Sequence, residues 1–217
     1  MRVPHLVAID GPAASGKSSV ARTLARRLGF AYVNSGSLYR AVTWHILQRR
    51  IDVHDPGAIA NEIQQTQLDC DLRDAEAHIR IDGEDPSPHL RDDNVNSSVS
   101  LVSSVPLVRE VLGKKMRDYA LMDDVVMEGR DIGTAVFPDT PFKFYIDASP
   151  DVRARRRRAQ GERDEITSRD RIDSSRQTAP LMIAADADVI DTSHLTIDGV
   201  VEEILRALRE KGLPLSR

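Results

Sequence analysis

Residues 11–18 read GPAASGKS, and this stretch lies between two segments of different periodicity. The apolar run 6–9 before it is typical of a buried strand, and after it Val20, Leu24 and Leu28 recur every fourth residue, as on one face of a helix. A strand, a glycine loop and a helix are the context in which the pattern G-x-x-x-x-G-K-S indicates a phosphate-binding loop. The alternative is a glycine-rich turn with an exposed lysine.

The residue types of this loop suit a polyphosphate. Glycines let successive backbone N–H groups converge on phosphate oxygens, and the start of the following helix adds the positive end of its dipole. Lys17 supplies a mobile positive charge and Ser18 offers a hydroxyl to Mg²⁺. The sequence therefore predicts that this loop binds the phosphates of a nucleotide.

The composition narrows the class of protein. The chain has 217 residues, of which 41% are hydrophobic, enough to bury the core of an α/β protein. A formal net charge of −4 argues against a nucleic-acid polymer as partner. No apolar run approaches the roughly 20 residues of a membrane span and the first strand starts at residue 6, so we expect a cytoplasmic protein with no membrane partner. The single cysteine, Cys70, has no partner for an internal disulfide.

Further apolar stretches predict strands at residues 30–33, 125–127, 142–147 and 188–192. After the second strand, a turn at 34–37 is expected to lead into a helix that starts near Leu38.

Two short alternating runs, at residues 68–72 and 78–81, predict a small hairpin. Neither run is long enough to build a domain, so we expect the hairpin to be an insert that packs over the edge of a substrate cleft.

A charged cluster, Glu128 to Asp131, directly follows the strand at 125–127. Ligands of open α/β sheets bind outside the carboxyl ends of the strands, so this cluster is a candidate site. Farther along, residues 160–165 are too polar for a core, and the stretch as far as Arg171 has only Ile166 to bury, so residues 160–171 are predicted to be mobile. Beyond them Arg169, Asp173 and Arg176 have helical spacing, which puts two guanidinium groups and a carboxylate on one face.

With these pieces placed, the chain resembles the bacterial cytidylate kinases of the nucleoside-monophosphate kinase family over nearly its whole length. The EGRDIGTAVFPD motif is the most specific of those that carry the resemblance. The motifs are IDGP at 9–12, SGSLYR at 35–40, SSVPLVR at 103–109, EGRDIGTAVFPD at 128–139, and RD at 169–170 with Asp173 and RQTAPL at 176–181.

The resemblance implies an α/β P-loop NTPase fold with a parallel five-stranded sheet and helices on both faces. It implies one kinase domain, 1–217, with a hairpin-containing monophosphate-binding insert at about 38–105 and a short lid at about 155–172. The implied reaction transfers the γ-phosphoryl group of ATP to CMP or dCMP, with Mg²⁺ as cofactor. Small nucleotides are the implied partners, and a monomer is expected.

The resemblance also assigns residues. The implied ATP-binding residues are Gly11, Pro12, Ala13, Ala14, Ser15, Gly16, Lys17, Ser18 and Ser19. The implied CMP-binding residues are Ser35, Tyr39, Arg40, Ser100, Arg109, Arg130, Asp131, Asp173 and Arg176. The implied catalytic residues are Lys17, Arg130, Arg169 and Arg176. Ser18 is the implied Mg²⁺ ligand, and Glu128 is implied to contact the metal through water.

Within the CMP site the resemblance assigns different residues to the phosphate, the sugar and the base. Arg40, Arg130 and Arg176 clamp the monophosphate, and Asp173 meets the sugar hydroxyl, whereas Ser35, Ser100, Arg109 and Asp131 lie at the cytosine end. Cytosine presents an amino donor beside two acceptors, which suits an aspartate that accepts and an arginine that donates. UMP is therefore expected to be the poorer substrate. The alternative is that Asp131 only orients Arg130 through an ion pair.

Three other classes compete with this interpretation. A P-loop GTPase needs an N-K-x-D guanine reader, which the sequence lacks. A small-metabolite kinase on the same core needs neither the hairpin insert nor the Arg130–Asp131 pair. A nucleotide-binding module without turnover remains open at this point.

Overall fold

A computed structural model describes residues 4–159, 166–176 and 178–214, with the backbone alone for 166–169. The strands are β1 Leu6–Asp10, β2 Ala31–Asn34, β3 Leu68–Arg73, β4 Glu76–Ile81, β5 Val125–Gly129, β6 Phe142–Asp147 and β7 Asp188–Asp191. The helices are α1 Lys17–Leu28, α2 Ser35–Gln48, α3 Pro56–Gln65, α4 Asp93–Val102, α5 Pro106–Met122, α6 Pro150–Ala159, α7 Ile166–Ser175 and α8 Ile197–Glu210. A short 3₁₀ turn, Ser87–His89, precedes α4, and a π-helical turn, Ile132–Val136, follows β5.

The strands form one sheet in the order β3-β4-β2-β5-β1-β6-β7. The five predicted strands lie side by side as β2, β5, β1, β6 and β7, and they are parallel. The predicted number of five strands is wrong, because the hairpin β3–β4 joins the same sheet. It does so where β4 pairs with β2 at Glu76 and Tyr32, so an edge of β2 that would otherwise be unpaired is covered.

Helices cover both faces of the sheet, and alternation along β1 shows how. Leu6 and Ala8 face a core that contains side chains of α2, α3, α4 and α5. Val7 and Ile9 face a second core, which contains side chains of α1 and α8. Both sets are buried, as expected of a central parallel strand. The glycine loop therefore follows the carboxyl end of a strand that is packed on both faces.

The start of α2 differs from the prediction. The sequence predicts a turn at 34–37 and a helix from near Leu38, but α2 begins at Ser35. The side chain of Asn34 accepts a hydrogen bond from the Ser37 N–H at 3.0 Å and so caps the helix directly after β2. As a result Ser35, Tyr39 and Arg40 all lie in the first two turns of a helix that begins at the sheet edge.

Three further expectations concern membrane spans, a mobile stretch and the single cysteine. In the described part of the chain, no helix combines the length and apolar character needed to cross a membrane. Of the stretch 160–171 that is predicted to be mobile, residues 160–165 lie outside the described residues and residues 166–171 belong to α7. Cys70 lies half-buried on β3, and burial raises the pKa of its thiol.

Candidate active site

The glycine loop owes its shape to two glycines. Gly11 has φ 154° and Gly16 has φ 96°, values that L side chains rarely adopt. A Cβ atom on Gly11 would lie only 2.1 Å from the carbonyl oxygen of Ile146 on β6. Gly16 directly precedes α1, so its left-handed conformation turns the loop into the helix. The loop therefore curves tightly at a helix N-terminus, a geometry into which a polyphosphate would fit.

Lys17 is the first residue of α1 and is only 6% exposed. Its ammonium group donates a hydrogen bond to the carbonyl oxygen of Pro12 at 3.1 Å, which folds the side chain back over the loop. The alternative of an exposed loop lysine is therefore wrong. Ser18 and Ser19 follow in the first turn and are exposed to the cleft.

Side chains from the C-terminal third of the chain hold the loop from outside. The Ser15 carbonyl oxygen accepts hydrogen bonds from Thr192 Oγ1 at 2.8 Å and from Arg156 Nη1 at 2.9 Å. Asp170 on α7 accepts from the Ala13 N–H at 3.0 Å and pairs with Arg153 on α6. The contacts with Ala13 and Ser15 join residues more than 130 positions apart, and no local sequence signal marks them.

A cleft of about 670 Å³ runs from the glycine loop to α7. Of the predicted loop residues, Ala13, Ala14, Gly16, Lys17, Ser18 and Ser19 line it. Of the predicted CMP-binding residues, Ser35, Tyr39, Arg40, Ser100, Arg130, Asp131, Asp173 and Arg176 line it. The structure thus brings side chains from five separate segments to one cavity.

Arg109 is placed differently from the prediction, and the loop residues Gly11, Pro12 and Ser15 also lie outside the cleft lining. Arg109 does not line the cleft, but lies buried behind Asp131 with its guanidinium 5.4 Å from the centre of the Tyr39 ring. The side chain of Arg169 lies outside the described residues.

The far end of the cleft holds a compact set of ion pairs. Asp173 on α7 accepts from Arg130 Nε at 3.0 Å and also pairs with Arg176. Asp131 pairs with Arg109, not with Arg130. The alternative in which Asp131 orients Arg130 through an ion pair therefore names the wrong partner, since Arg130 is held by Asp173 instead.

Arg176 carries a donor that the protein leaves unused. Its Nη2 donates to Ser103 Oγ at 2.9 Å, but its buried Nε has no hydrogen-bond partner among the described residues. Burial lowers the pKa of this guanidinium, and the nearby cations Arg109 and Arg130 lower it further. Three cationic side chains and two carboxylates therefore meet at this end, which suits an added anion such as a phosphate.

The sequence does not identify some of the residues that line the cleft. Arg157 is buried and lines the cleft, but in the sequence it was one of several arginines in a run on α6. Asn96 lies on α4 and accepts from Arg40 Nε at 3.2 Å, which fixes the direction of that guanidinium. A helix-spacing argument alone does not distinguish such an asparagine from an exposed one.

Glu128, at the end of β5, is buried and lines the cleft together with Lys17 and Ser18. Its Oε1 accepts a hydrogen bond from the Tyr32 hydroxyl at 3.0 Å. No group of three or more histidine, cysteine, aspartate or glutamate side chains suited to a metal occurs in the described ranges. One hydroxyl and one carboxylate beside a phosphate cradle fit Mg²⁺, which usually keeps water and phosphate oxygens in its shell.

Asp10, the last residue of β1, is a buried acid that the sequence analysis did not single out. Its two carboxylate oxygens accept from the N–H groups of Ile132 and Gly133 at 2.8 and 2.7 Å. Burial raises its pKa from 3.8 to about 7, against the effect of these two hydrogen bonds. Asp10 thus ties the glycine loop's strand to the turn that follows Arg130 and Asp131.

The chain is similar to known proteins over nearly its whole length. The family described as Cytidylate kinase matches residues 7–210. A cytidylate kinase of Pelotomaculum thermopropionicum is 44% identical over 212 residues, which cover 92% of this chain and 93% of the relative. One from Caldanaerobacter subterraneus subsp. tengcongensis is 42% identical over 215 residues, covering 94% of each chain.

A solved structure supports the fold alone. The Thermus thermophilus protein TT1252 has a TM-score of 0.50 and 16% sequence identity, and the match covers 98% of this chain and all of that one. The family match and the identity of about two residues in five over most of the length settle the family. The chain belongs to the cytidylate kinase family.

Proposed function

We propose that this protein transfers the γ-phosphoryl group of ATP to CMP or dCMP, giving ADP and CDP or dCDP. One observation carries the proposal: a single cleft has the phosphate cradle with Lys17 at one end and the Arg130–Asp173–Arg176 group at the other. Phosphoryl transfer needs two mutually repelling anions held in line, and catalysis by positioning is the main task of the protein.

The donor end suits ATP. The loop amides and the start of α1 would hold the β-phosphate, and Lys17 would reach from its present contact with Pro12 to the β- and γ-phosphates. Ser18 would ligate Mg²⁺ directly, and Glu128 would contact the metal through water. Mg²⁺ bound there would neutralise charge on the β- and γ-phosphate oxygens.

The acceptor end suits a nucleoside monophosphate. Arg40, Arg130 and Arg176 would bind the phosphate, with Asn96 holding the first of them and Asp173 the other two. Because Asp173 already fixes two guanidinium groups, little side-chain order has to be created when the phosphate binds. The unpartnered Arg176 Nε would find an acceptor in a phosphate oxygen. We further propose that Asp173 also accepts from the sugar hydroxyl.

The base is proposed to lie toward Ser35, Ser100 and Asp131. All three are buried and line the cleft. A carboxylate there accepts from the amino group of cytosine, whereas uracil would turn its O4 acceptor toward the same carboxylate. Arg109, which is outside the cleft lining, would act by holding Asp131.

The remaining parts of the proposal concern segments and assembly. Residues 38–105 would form the monophosphate-binding insert, with the hairpin β3–β4 packed as an extension of the sheet. Residues 155–172 would form a lid, and Arg169 would contact the transferred phosphoryl group. We also propose that the enzyme is a monomer. Since ATP and CMP are cytoplasmic metabolites, we propose that the enzyme works in the cytoplasm.

Coupled measurement of ADP release tests the reaction. ATP and Mg²⁺ are supplied with CMP, dCMP, UMP, AMP or shikimate in separate assays. We expect fast turnover with CMP or dCMP and slower turnover with UMP. Turnover with shikimate alone would place the chain among small-metabolite kinases, and the absence of turnover with every acceptor would indicate a binding module.

A further inference from the structure

Tyr32 on β2 places its hydroxyl 3.0 Å from Oε1 of Glu128. Both side chains are buried, and both residues line the cleft beside Lys17 and Ser18. Neither the motifs of the sequence nor the proposed reaction gives Tyr32 a role. A hydrogen bond from a phenol hydroxyl restricts the orientation of the carboxylate that accepts it. It therefore matters whether Tyr32 donates to Glu128.

A series of hydrogen bonds that starts in the backbone fixes that direction. The Ser37 N–H can only donate, and it binds Oδ1 of Asn34 at 3.0 Å. The amide nitrogen of Asn34 therefore faces Tyr32 and donates to its hydroxyl oxygen at 3.2 Å. Because an amide nitrogen cannot accept, the hydroxyl proton of Tyr32 is donated to Glu128.

The ring of Tyr32 packs against a cation. The guanidinium of Arg22 lies 4.8 Å from the ring centre and pairs with Glu76 of β4 at 2.8 Å. A tyrosine phenol has an ordinary pKa of about 10, so the Tyr32 hydroxyl is a neutral donor at neutral pH.

We propose that Tyr32 is a positioning residue that orients Glu128 toward Mg²⁺, an inference that rests on the proposed function of Glu128. The tyrosine occupies Oε1. Oε2 would then be the oxygen left to accept from a water bound to Mg²⁺. Hydrogen-bond partners of metal-binding side chains set the orientation of those side chains and commonly change metal affinity by roughly 10- to 100-fold when removed. The helix cap at Asn34 is thereby linked to the metal site through one phenol.

Tyr32→Phe tests this role, because it removes the hydroxyl and keeps the ring against Arg22. The matched control is Tyr119→Phe, since Tyr119 is also fully buried and its hydroxyl donates to the His78 carbonyl outside the cleft. The readout is the dissociation constant of Mn²⁺ in the complex with ATP, measured by electron paramagnetic resonance without CMP. We expect Tyr32→Phe to weaken Mn²⁺ binding by about tenfold, the low end of the range for such partners because the contact runs through water. Tyr119→Phe is expected to leave the constant unchanged.

A second variant shows whether the effect passes through Glu128. Glu128→Gln alone should weaken Mn²⁺ binding, and adding Tyr32→Phe to it should cause no further loss. Unchanged Mn²⁺ affinity in Tyr32→Phe, equal loss in both tyrosine variants, or additive losses in the double variant would each overturn the role of Tyr32. Since these titrations contain no CMP, a wild-type protein that binds Mn²⁺ and ATP but makes no CDP would overturn the proposed function alone.

Discussion

The variant Asp131→Asn tests whether Asp131 recognises the base of the substrate or only holds Arg109 in place. Asp131 and Arg109 are a buried pair, with side chains only 5% and 7% exposed, so solvent screens neither group. Asparagine has nearly the same volume and keeps one acceptor oxygen, but it also presents an amide donor. The change therefore tests the acceptor character of this position with little change of shape.

The expected loss of activity with CMP follows from the burial of Asp131. If Asp131 accepts from the amino group of cytosine, the variant leaves that amino group or Arg109 poorly paired in a buried site, which costs about 1–3 kcal/mol. This corresponds to a loss of roughly 5- to 150-fold in kcat/KM for CMP. UMP should lose little or gain, because the new amide can donate to O4 of uracil. The ratio of CMP to UMP turnover should therefore narrow.

The assay is steady-state ADP release with CMP and with UMP, and Asp173→Asn is the matched control. Asp173 has the same charge and lies in the same cleft, but it holds Arg130 and Arg176 at the phosphate end. Its replacement should lower turnover with both acceptors by the same factor. If Asp131→Asn also lowers both by one factor, Asp131 supports the site through Arg109 and does not read the base.

Stability has to be measured alongside. Removing one charge of a buried pair costs up to about 3–5 kcal/mol, and less when an amide oxygen still accepts from Arg109. For a chain of this size each kcal/mol lowers the melting temperature by roughly 2–4 °C. The kinetic comparison is therefore made well below the melting temperature of the variant, where the folded fraction is constant.

Three further predictions concern the donor side. Lys17→Met should lower kcat by about a thousandfold or more while the melting temperature changes by only a few degrees, because the methionine fills the buried stem but carries no charge to the phosphates; near-normal kcat in the folded variant would contradict a phosphate-binding role. Gly11→Ala should abolish ATP binding in calorimetry and lower the melting temperature, because its Cβ would lie 2.1 Å from the Ile146 oxygen; normal ATP affinity would show that the loop adapts. Asp10 has a folded-state pKa of about 7 and an ordinary value of 3.8, so its contribution to stability is full below about pH 4 and is lost as the pH rises through 7. Between pH 5 and pH 8 the free energy of unfolding should therefore fall by about 2.5 kcal/mol more for the wild type than for Asp10→Asn in urea titrations, and parallel pH profiles would show that Asp10 titrates normally.

Much of the fold follows from local signals in the sequence. The apolar runs predict all five parallel strands. The pattern G-x-x-x-x-G-K-S predicts both the position of the glycine loop and its phosphate-binding chemistry. The count of strands was wrong because the pairing of β4 with β2 depends on a non-local contact between Glu76 and Tyr32. The start of α2 was placed late because a capping asparagine directly after a strand reads like a turn.

The ion pairs of the site are harder to predict from the sequence than the fold. Helical spacing puts Asp173 near Arg176, and the structure shows that pair. The partnership of Asp173 with Arg130 and that of Asp131 with Arg109 join residues on different elements, so neighbouring positions in the sequence suggested the wrong pair. Tyr32 and Asp10 resembled ordinary core-strand residues because their polar atoms find partners only in the folded protein.

A competition in one vessel tests the central claim most directly. Equal concentrations of CMP, UMP and AMP are mixed with Mg²⁺, limiting ATP labelled in the γ-phosphoryl group and the purified protein, and the labelled diphosphates are separated by chromatography. The proposed cleft chemistry predicts that CDP takes most of the label, with UDP a minor product. Label found mainly in ADP, or released as inorganic phosphate without any diphosphate, would contradict it.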